Sequence, residues 1–132
     1  MPSFTFEKSE RLKSRKIIER MFNREGQSFA RYPLRIIWIE TALETPYPAQ
    51  FALSVPKKKF PKAVDRNRIR RQIRESYRLH KHLLYNALEL HQKQYALMVL
   101  YTGKEAVSYT EIEAKMKQII LKLVNIAKRD KR

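Results

Sequence analysis

Cysteine is absent from the 132-residue chain. That removes disulfide frameworks, thiolate metal sites and cysteine nucleophiles, and it suits a reducing, cytoplasmic setting. Glycine occurs only at Gly26 and Gly103, so a Gly-rich phosphate-binding loop is excluded. Acids are scarce: 13 Asp and Glu stand against 29 Lys and Arg, for a formal net charge of +16. The two aspartates, Asp65 and Asp130, do not cluster, whereas a protein that cuts nucleic acid unaided usually gathers carboxylates around metal ions. His80, His82 and His91 miss the four-residue spacing of a helical zinc pair. The longest apolar runs, such as 96–101, are far too short to cross a bilayer, and the N-terminus lacks a signal-peptide core. The expectation is a soluble intracellular protein that binds no cofactor or metal by itself and performs no independent catalysis.

What is present in abundance is positive charge, beside enough apolar residues for a core. At 43% hydrophobic, residues 1–132 suit one domain that buries roughly two thirds of its extended surface. The charge concentrates in residues 54–78. There Lys57, Lys58, Lys59, Lys62, Arg66, Arg68, Arg70, Arg71 and Arg74 face one acid, Asp65, up to position 74. Wound at 3.6 residues per turn from Asp65 onward, this stretch collects Ile69, Ile73, Tyr77, His80, Leu83 and Leu84 on one side. Asn67, Arg71, Arg74 and Arg78 line the other, flanked by Arg70 and Lys81. A solvated helix face normally interleaves acids, and here Glu75 alone does so; the pattern predicts a face for a polyanion. Asp65 reads as the cap or first-turn residue of this helix.

Residues 1–13 read as an extended lead-in whose Phe4 and Phe6 tuck against the body. Ser14 is a suitable N-cap for a short helix over 15–23, with Ile17, Ile18, Met21 and Phe22 on one broad face and Gly26 as its stop. Residues 29–41 form a strand with apolar side chains on both faces, with a bend into two pieces left open. Residues 44–48 are a turn. Residues 50–55 form a strand whose Phe51, Leu53 and Val55 face one way, while Gln50, Ala52 and Ser54 make a small, polar second face. Pro56 and Pro61 hold the lysine cluster out of regular structure. The basic helix runs to about Leu90, with a break near residues 80–82 left open. Residues 94–101 read as a buried central strand. Ser108 and Glu111 form a capping box ahead of a final helix with Ile112, Met116, Ile119, Ile120 and Leu123 on one face. A strand pair joined through the long helix requires a crossover and hence a parallel pairing. The expected fold is a two-layer α/β sandwich of three or four strands, with helices on one face and the other partly open.

Recognition of RNA or duplex nucleic acid follows from arginine forks and Asn67 presented on a rigid helix. Phe22, Phe29, Tyr32, Trp38 and Tyr47 are candidates for stacking on unpaired bases. Of these, Phe22 with the small face of Gln50, Ala52 and Ser54 makes a floor and wall for a single strand. Two other classes compete: a basic structural ribosomal protein, and a duplex-DNA binder, which lacks the second helix of a helix-turn-helix. A membrane-surface protein fits least, since the apolar faces are needed for the core.

The block Leu53-Ser54-Val55, Lys57-Lys58, Ala63-Val64, Arg66-Asn67-Arg68-Ile69, Arg71, Ile73 and Arg74 resembles the signature of the bacterial ribonuclease P protein subunit. Arg11-Leu12-Lys13 followed by Met21-Phe22, and Tyr109 with Glu111, extend the resemblance over nearly the whole chain. The resemblance implies an α/β (α+β) sandwich of about four mixed strands and three helices, with the basic helix in a left-handed crossover. Pattern alone favours a right-handed one. It also implies a non-catalytic protein cofactor for a catalytic RNA that carries magnesium and removes the five-prime leader of precursor tRNA, with no further protein partner required. Lys57, Lys58, Lys59, Lys62, Arg66, Asn67, Arg68, Arg70, Arg71, Arg74 and Arg78 would then meet the catalytic RNA. Ile18, Phe22, Ile37, Ala52 and Ser54 would line the leader cleft, with Ile18 and Ile37 standing where the family often has aromatics.

Overall fold

The structure, a computed structural model, describes residues 5–129; Phe4, Asp130 and the end of the basic tail lie outside the described residues. A single 3-10 turn, Lys8–Glu10, leads into α1 (Arg15–Phe22), β1 (Gln27–Arg31), β2 (Leu34–Glu40) and β3 (Ala49–Ser54). Then come α2 (Ala63–Leu90), β4 (Tyr95–Tyr101) and α3 (Tyr109–Arg129). The four strands lie in the order β1-β2-β4-β3. β1 with β2 and β2 with β4 are antiparallel, while β3 and β4, joined through α2, are parallel.

The apolar run of β4 is explained by its place between β2 and β3, with packing on both faces. Leu34, Ile36, Trp38, Phe51, Leu97 and Val99 face α2 and α3, where Ile69, Ile73, Tyr77, Leu84, Ile112, Met116 and Ile120 close the main core. On the opposite face, Ile39, Ala96 and Met98 pack with Leu12, Leu43 and Met21 of α1. The sheet therefore carries two long helices on one side and one short helix on the other.

Several local expectations are refined. Residues 29–41 are not one strand: Tyr32 and Pro33 turn the chain, and Phe29 pairs back onto Ile36. The basic helix runs through residues 80–82 without a break. Lys62 is its N-cap residue, and Asp65 sits in the first turn, where the helix dipole favours an acid. Ser14 caps α1 as its side chain predicts, accepting from the Ile17 N–H at 3.2 Å. Ser108 Oγ likewise accepts from the Glu111 N–H at 3.2 Å. Gly26 acts differently from a left-handed helix stop, since no described glycine has positive φ. It lies beneath the end of α1, where a Cβ would come within 1.8 Å of the Met21 carbonyl oxygen.

Candidate nucleic-acid interface

α2 presents its cations on two flanks. Arg70 and Arg74, four residues apart, turn toward the β3 edge of the sheet, where they meet Arg11 and Lys13 around a cleft of about 280 Å³. Arg68 and Arg71 line the opposite flank with Gln72, Glu75 and Tyr109 of α3. Asn67 is exposed between the flanks. Arg78 is bound on its own helix, donating from Nη2 to Glu75 Oε2 at 2.6 Å. Arg78 therefore reaches out with part of its fork already used.

The lysine loop is built by what anchors it. Phe60 is buried edge-on to Tyr101, with ring centroids 5.6 Å apart. Arg66 Nη1 donates to the carbonyls of Phe60 and Pro61 at 2.8 and 2.9 Å. Lys59 Nζ donates to the Thr102 carbonyl at 3.2 Å. Lys57, Lys58 and Lys62 are exposed. Arg66 and Lys59 thus pin the loop against the body and position its other lysines beside α2.

Across the outer face of the sheet, pairing register lines up the remaining candidates. Ile37, Met98 and Ala52 form one row, and Arg35, Leu100 and Ser54 the next. Ile18, Ile37 and Ala52 are half-buried in the cluster centred on Met21, whereas Ser54 is exposed. A Cβ on Gly26 would stand 3.1 Å from Ile37 Cγ2, which places the end of α1 beside this floor. Phe22, at that end, is 54% exposed. Among the other stacking candidates Tyr32 is 61% exposed, but Trp38 lies in the core against Tyr95 with ring centroids 4.9 Å apart. Phe29 is covered by Lys122, whose Nζ is 4.3 Å from the ring centre. Tyr47 is half-buried and tilted against Tyr85.

Sequence reasoning missed three cations that belong to this surface and misplaced a fourth. Arg35 shares the outer face with Ile37 because strand residues two apart point the same way, so its place was readable from the alternation. Arg11 and Lys13 reach the cleft through the β3 edge, where Arg11 bridges Phe51 and the Leu12 N–H donates to the Phe51 carbonyl at 3.0 Å. Lys81 is no part of the basic face. It is 2% exposed and ion-paired with Glu10, which also accepts from Tyr85 Oη at 2.8 Å.

The electrostatics of the cleft are set by like charge. Burial, then Arg11, then Arg70 hold the Arg74 guanidinium below its usual basicity. Among the described residues no three His, Asp or Glu side chains converge as metal ligands. The arginine cluster offers several guanidinium forks, a donor set that suits phosphate.

A sequence model of the family described as Ribonuclease P matches residues 6–124. The chain belongs to the ribonuclease P protein family. The ribonuclease P protein component of Porphyromonas gingivalis is 34% identical over 122 residues, covering 92% of this chain and 88% of the relative. That of Dictyoglomus thermophilum is 39% identical over 90 residues, covering 68% of this chain and 71% of the relative. In fold, the chain is similar to the Staphylococcus aureus RNase P protein, with TM-score 0.67 and 21% identity over 89% of this chain and 96% of that one. It is also similar to the RNase P protein from Thermotoga maritima in complex with 1-(4-fluorophenyl)-2-thiourea, with TM-score 0.66 and 22% identity over 83% and 96%. Family membership makes the chain a protein component of ribonuclease P, with its function in tRNA processing. The three helices and four-stranded mixed sheet are those of the ribonuclease P protein fold.

Proposed function

We propose that the chain is a cytoplasmic protein cofactor that docks a catalytic RNA on α2 and the lysine loop, and holds the five-prime leader of precursor tRNA on the outer face of the sheet. In this reading the RNA performs the hydrolysis with its own magnesium, and no other protein is required. The observation that carries it is the division of labour between two adjoining surfaces. α2 offers Arg68, Arg70, Arg71 and Arg74 with Asn67 at a rigid helical spacing, which suits the fixed phosphates of a folded RNA. The outer face offers an exposed aromatic, Phe22, beside a floor of Ile37, Ala52 and Ser54, which suits an unpaired strand of any sequence.

The roles divide accordingly. Lys57, Lys58 and Lys62 supply point charges, Arg70, Arg71 and Arg74 supply forks, and Arg66 and Lys59 act chiefly by fixing the loop. Ile18 and Ile37 provide apolar contact without aromatic stacking. Reconstituting precursor cleavage from the purified chain and its catalytic RNA tests the reading. The combination should cleave at low magnesium, and the protein alone should not cleave at all.

A further inference from the structure

Of the large apolar side chains left exposed among the described residues, two are aromatic: Phe22, placed above beside the leader floor, and Tyr32, 61% exposed. Tyr32 stands at the tip of the β1–β2 hairpin, in the two-residue turn between Arg31 and Leu34. Thr102, just past β4, fastens that turn: its N–H and Oγ1 both donate to the Pro33 carbonyl, at 2.7 and 3.1 Å. Gly103 follows so closely that a Cβ would come within 2.9 Å of the Pro33 side chain and 3.0 Å of the Tyr101 ring. From the other side, Lys59 Nζ donates to the Thr102 carbonyl at 3.2 Å. The hairpin tip, the loop after β4 and the lysine loop therefore make one braced corner.

A lone exposed tyrosine is ordinary on a protein surface; this one is rigidly presented and left uncovered. Phe29 is capped by Lys122 and Arg31, and Trp38 stacks on Tyr95. No ring or cation among the described residues packs on Tyr32. Arg31, its neighbour in sequence, turns back over Phe29 and donates to the Ala30 carbonyl at 2.7 Å. Lys57, Lys58 and Lys104 are exposed on the same corner, with Glu105 as the acid beside them. An uncovered ring fixed among cations suits unpaired nucleotides, because a base stacks on the ring and the lysines take the flanking phosphates. A tyrosine ring also loses little conformational freedom on binding. The corner lies on the helix side of the sheet, where Tyr101 closes against Phe60 of the lysine loop with ring centroids 5.6 Å apart. Tyr32 is thus grouped with the lysine loop and not with the leader floor on the outer face.

We propose that Tyr32 is a stacking site for an unpaired base of the catalytic RNA, at the corner between the hairpin tip and the lysine loop. The inference rests on the ribonuclease P reading and adds to it a base contact that lies outside both α2 and the leader floor. Because the ring carries no charge, its contribution separates from that of the surrounding lysines by its salt dependence.

The test uses Tyr32→Ala, Tyr32→Phe and Tyr32→Trp, with Leu121→Ala on the exposed side of α3 as a control for loss of a surface apolar group. Binding is measured over a salt series in two arms. One is catalytic RNA alone; the other is leader-bearing precursor against mature tRNA on the assembled ribonucleoprotein. Tyr32→Ala is expected to weaken binding to the catalytic RNA by about 5-fold or more with the salt slope unchanged. Tyr32→Phe and Tyr32→Trp should bind as the unaltered chain does, since stacking uses the ring and not the hydroxyl. Leu121→Ala should change nothing. Chemical probing of the RNA should find a nucleotide that the unaltered chain and Tyr32→Phe protect and Tyr32→Ala leaves reactive. Unchanged binding by Tyr32→Ala, or an equal loss in Tyr32→Phe, would overturn the stacking site. Loss confined to leader-bearing precursor would overturn the assignment to the catalytic RNA. A fall in the Tm of Tyr32→Ala that accounts for its weaker binding would mark Tyr32 as structural and overturn the site as well. Failure of the unaltered chain to bind the catalytic RNA would overturn the ribonuclease P reading, and the inference with it.

Discussion

Phe22 shows how one residue divides between folding and function. Its neighbour Met21 is 2% exposed beneath α1, while Phe22 itself is 54% exposed at the helix end. An aromatic ring left in water contributes little to the core, so Phe22→Ala should change stability by no more than about 0.5 kcal/mol. If the ring stacks on a leader base, the same change should weaken precursor binding by about 1–3 kcal/mol while sparing mature tRNA. Competition binding with the two RNAs, alongside thermal melts, separates the effects. Equal losses for both RNAs would exclude the stacking role. Gln92 offers a second residue-level test, unrelated to RNA. It holds φ 55 just past the end of α2, where the Lys93 N–H reaches back to the Leu88 carbonyl at 2.9 Å. A left-handed conformation is strained for a residue with a Cβ, and glycine suits it. Gln92→Gly should stabilise the chain by roughly 0.5–1 kcal/mol in denaturant unfolding.

Among the elements, the N-terminal segment is the one whose importance pattern hides. Phe6 packs edge-on to Phe51 and Tyr77, and Gln50 donates to the Ser9 carbonyl at 3.0 Å. Glu10 meets Lys81 and Tyr85 below, and Tyr77 Oη lies 3.0 Å from Tyr85 Oη. Breaking a buried ion pair strands a charge, so Glu10→Ala should cost about 3–5 kcal/mol. Replacing both partners, Glu10→Leu with Lys81→Met, should recover most of that. Urea titration of the three proteins measures it, and equal stability for both variants would contradict the burial argument.

The same polar cluster fixes the alkaline limit. Burial raises the hydroxyls of Tyr77 and Tyr85 well above the ordinary tyrosine value; Tyr77 and Glu10 push Tyr85 further up, while at Tyr77 the hydrogen bond with Tyr85 partly offsets the rise and Glu10 adds to it. A group whose folded pKa exceeds its unfolded value stabilises fully below the unfolded pKa and loses that contribution above it. Stability should therefore hold to about pH 10 and fall beyond it. Phenolate absorbance followed beside circular dichroism should show the last tyrosines ionising only as helix is lost.

Legibility from sequence followed the range of the interaction. The extent of α2 to about Leu90, the alternation of β3 and the buried run of β4 were readable because each is a local period, whereas the continuity of α2 through residues 80–82 was settled only by its packing. The turn at Tyr32 and Pro33 was legible only as an open bend, because apolar side chains on both faces of residues 29–41 blur the alternation that would mark where one strand ends and the next begins. Lys81 looked like part of the basic face because its partner, Glu10, lies 71 residues away in sequence. Of the candidate site, the helical arginines were legible as a stripe and Arg35 from the alternation of its strand; Arg11 and Lys13 needed the pairing of their segment along the β3 edge before they could join it.

At the scale of the whole molecule, a charge of +16 on 132 residues implies an anionic partner that supplies the missing counter-charge. Affinity for RNA should fall steeply with salt, the slope reporting how many phosphates are neutralised. Arg71→Gln, on the exposed row of α2, is expected to reduce that slope by about one. An unchanged slope would remove Arg71 from the interface. Charge alone would equally suit a ribosomal protein, and family membership decides that choice. The proposed account then assigns the chain binding and orientation, and assigns cleavage to its RNA.

The most direct test is a reconstitution measured with and without the catalytic RNA. Purified chain plus RNA should release the five-prime leader from precursor tRNA at magnesium and salt concentrations where the RNA alone is slow. The chain without RNA should release none. Cleavage by the protein alone, persisting after nuclease treatment to remove contaminating RNA, would contradict the account.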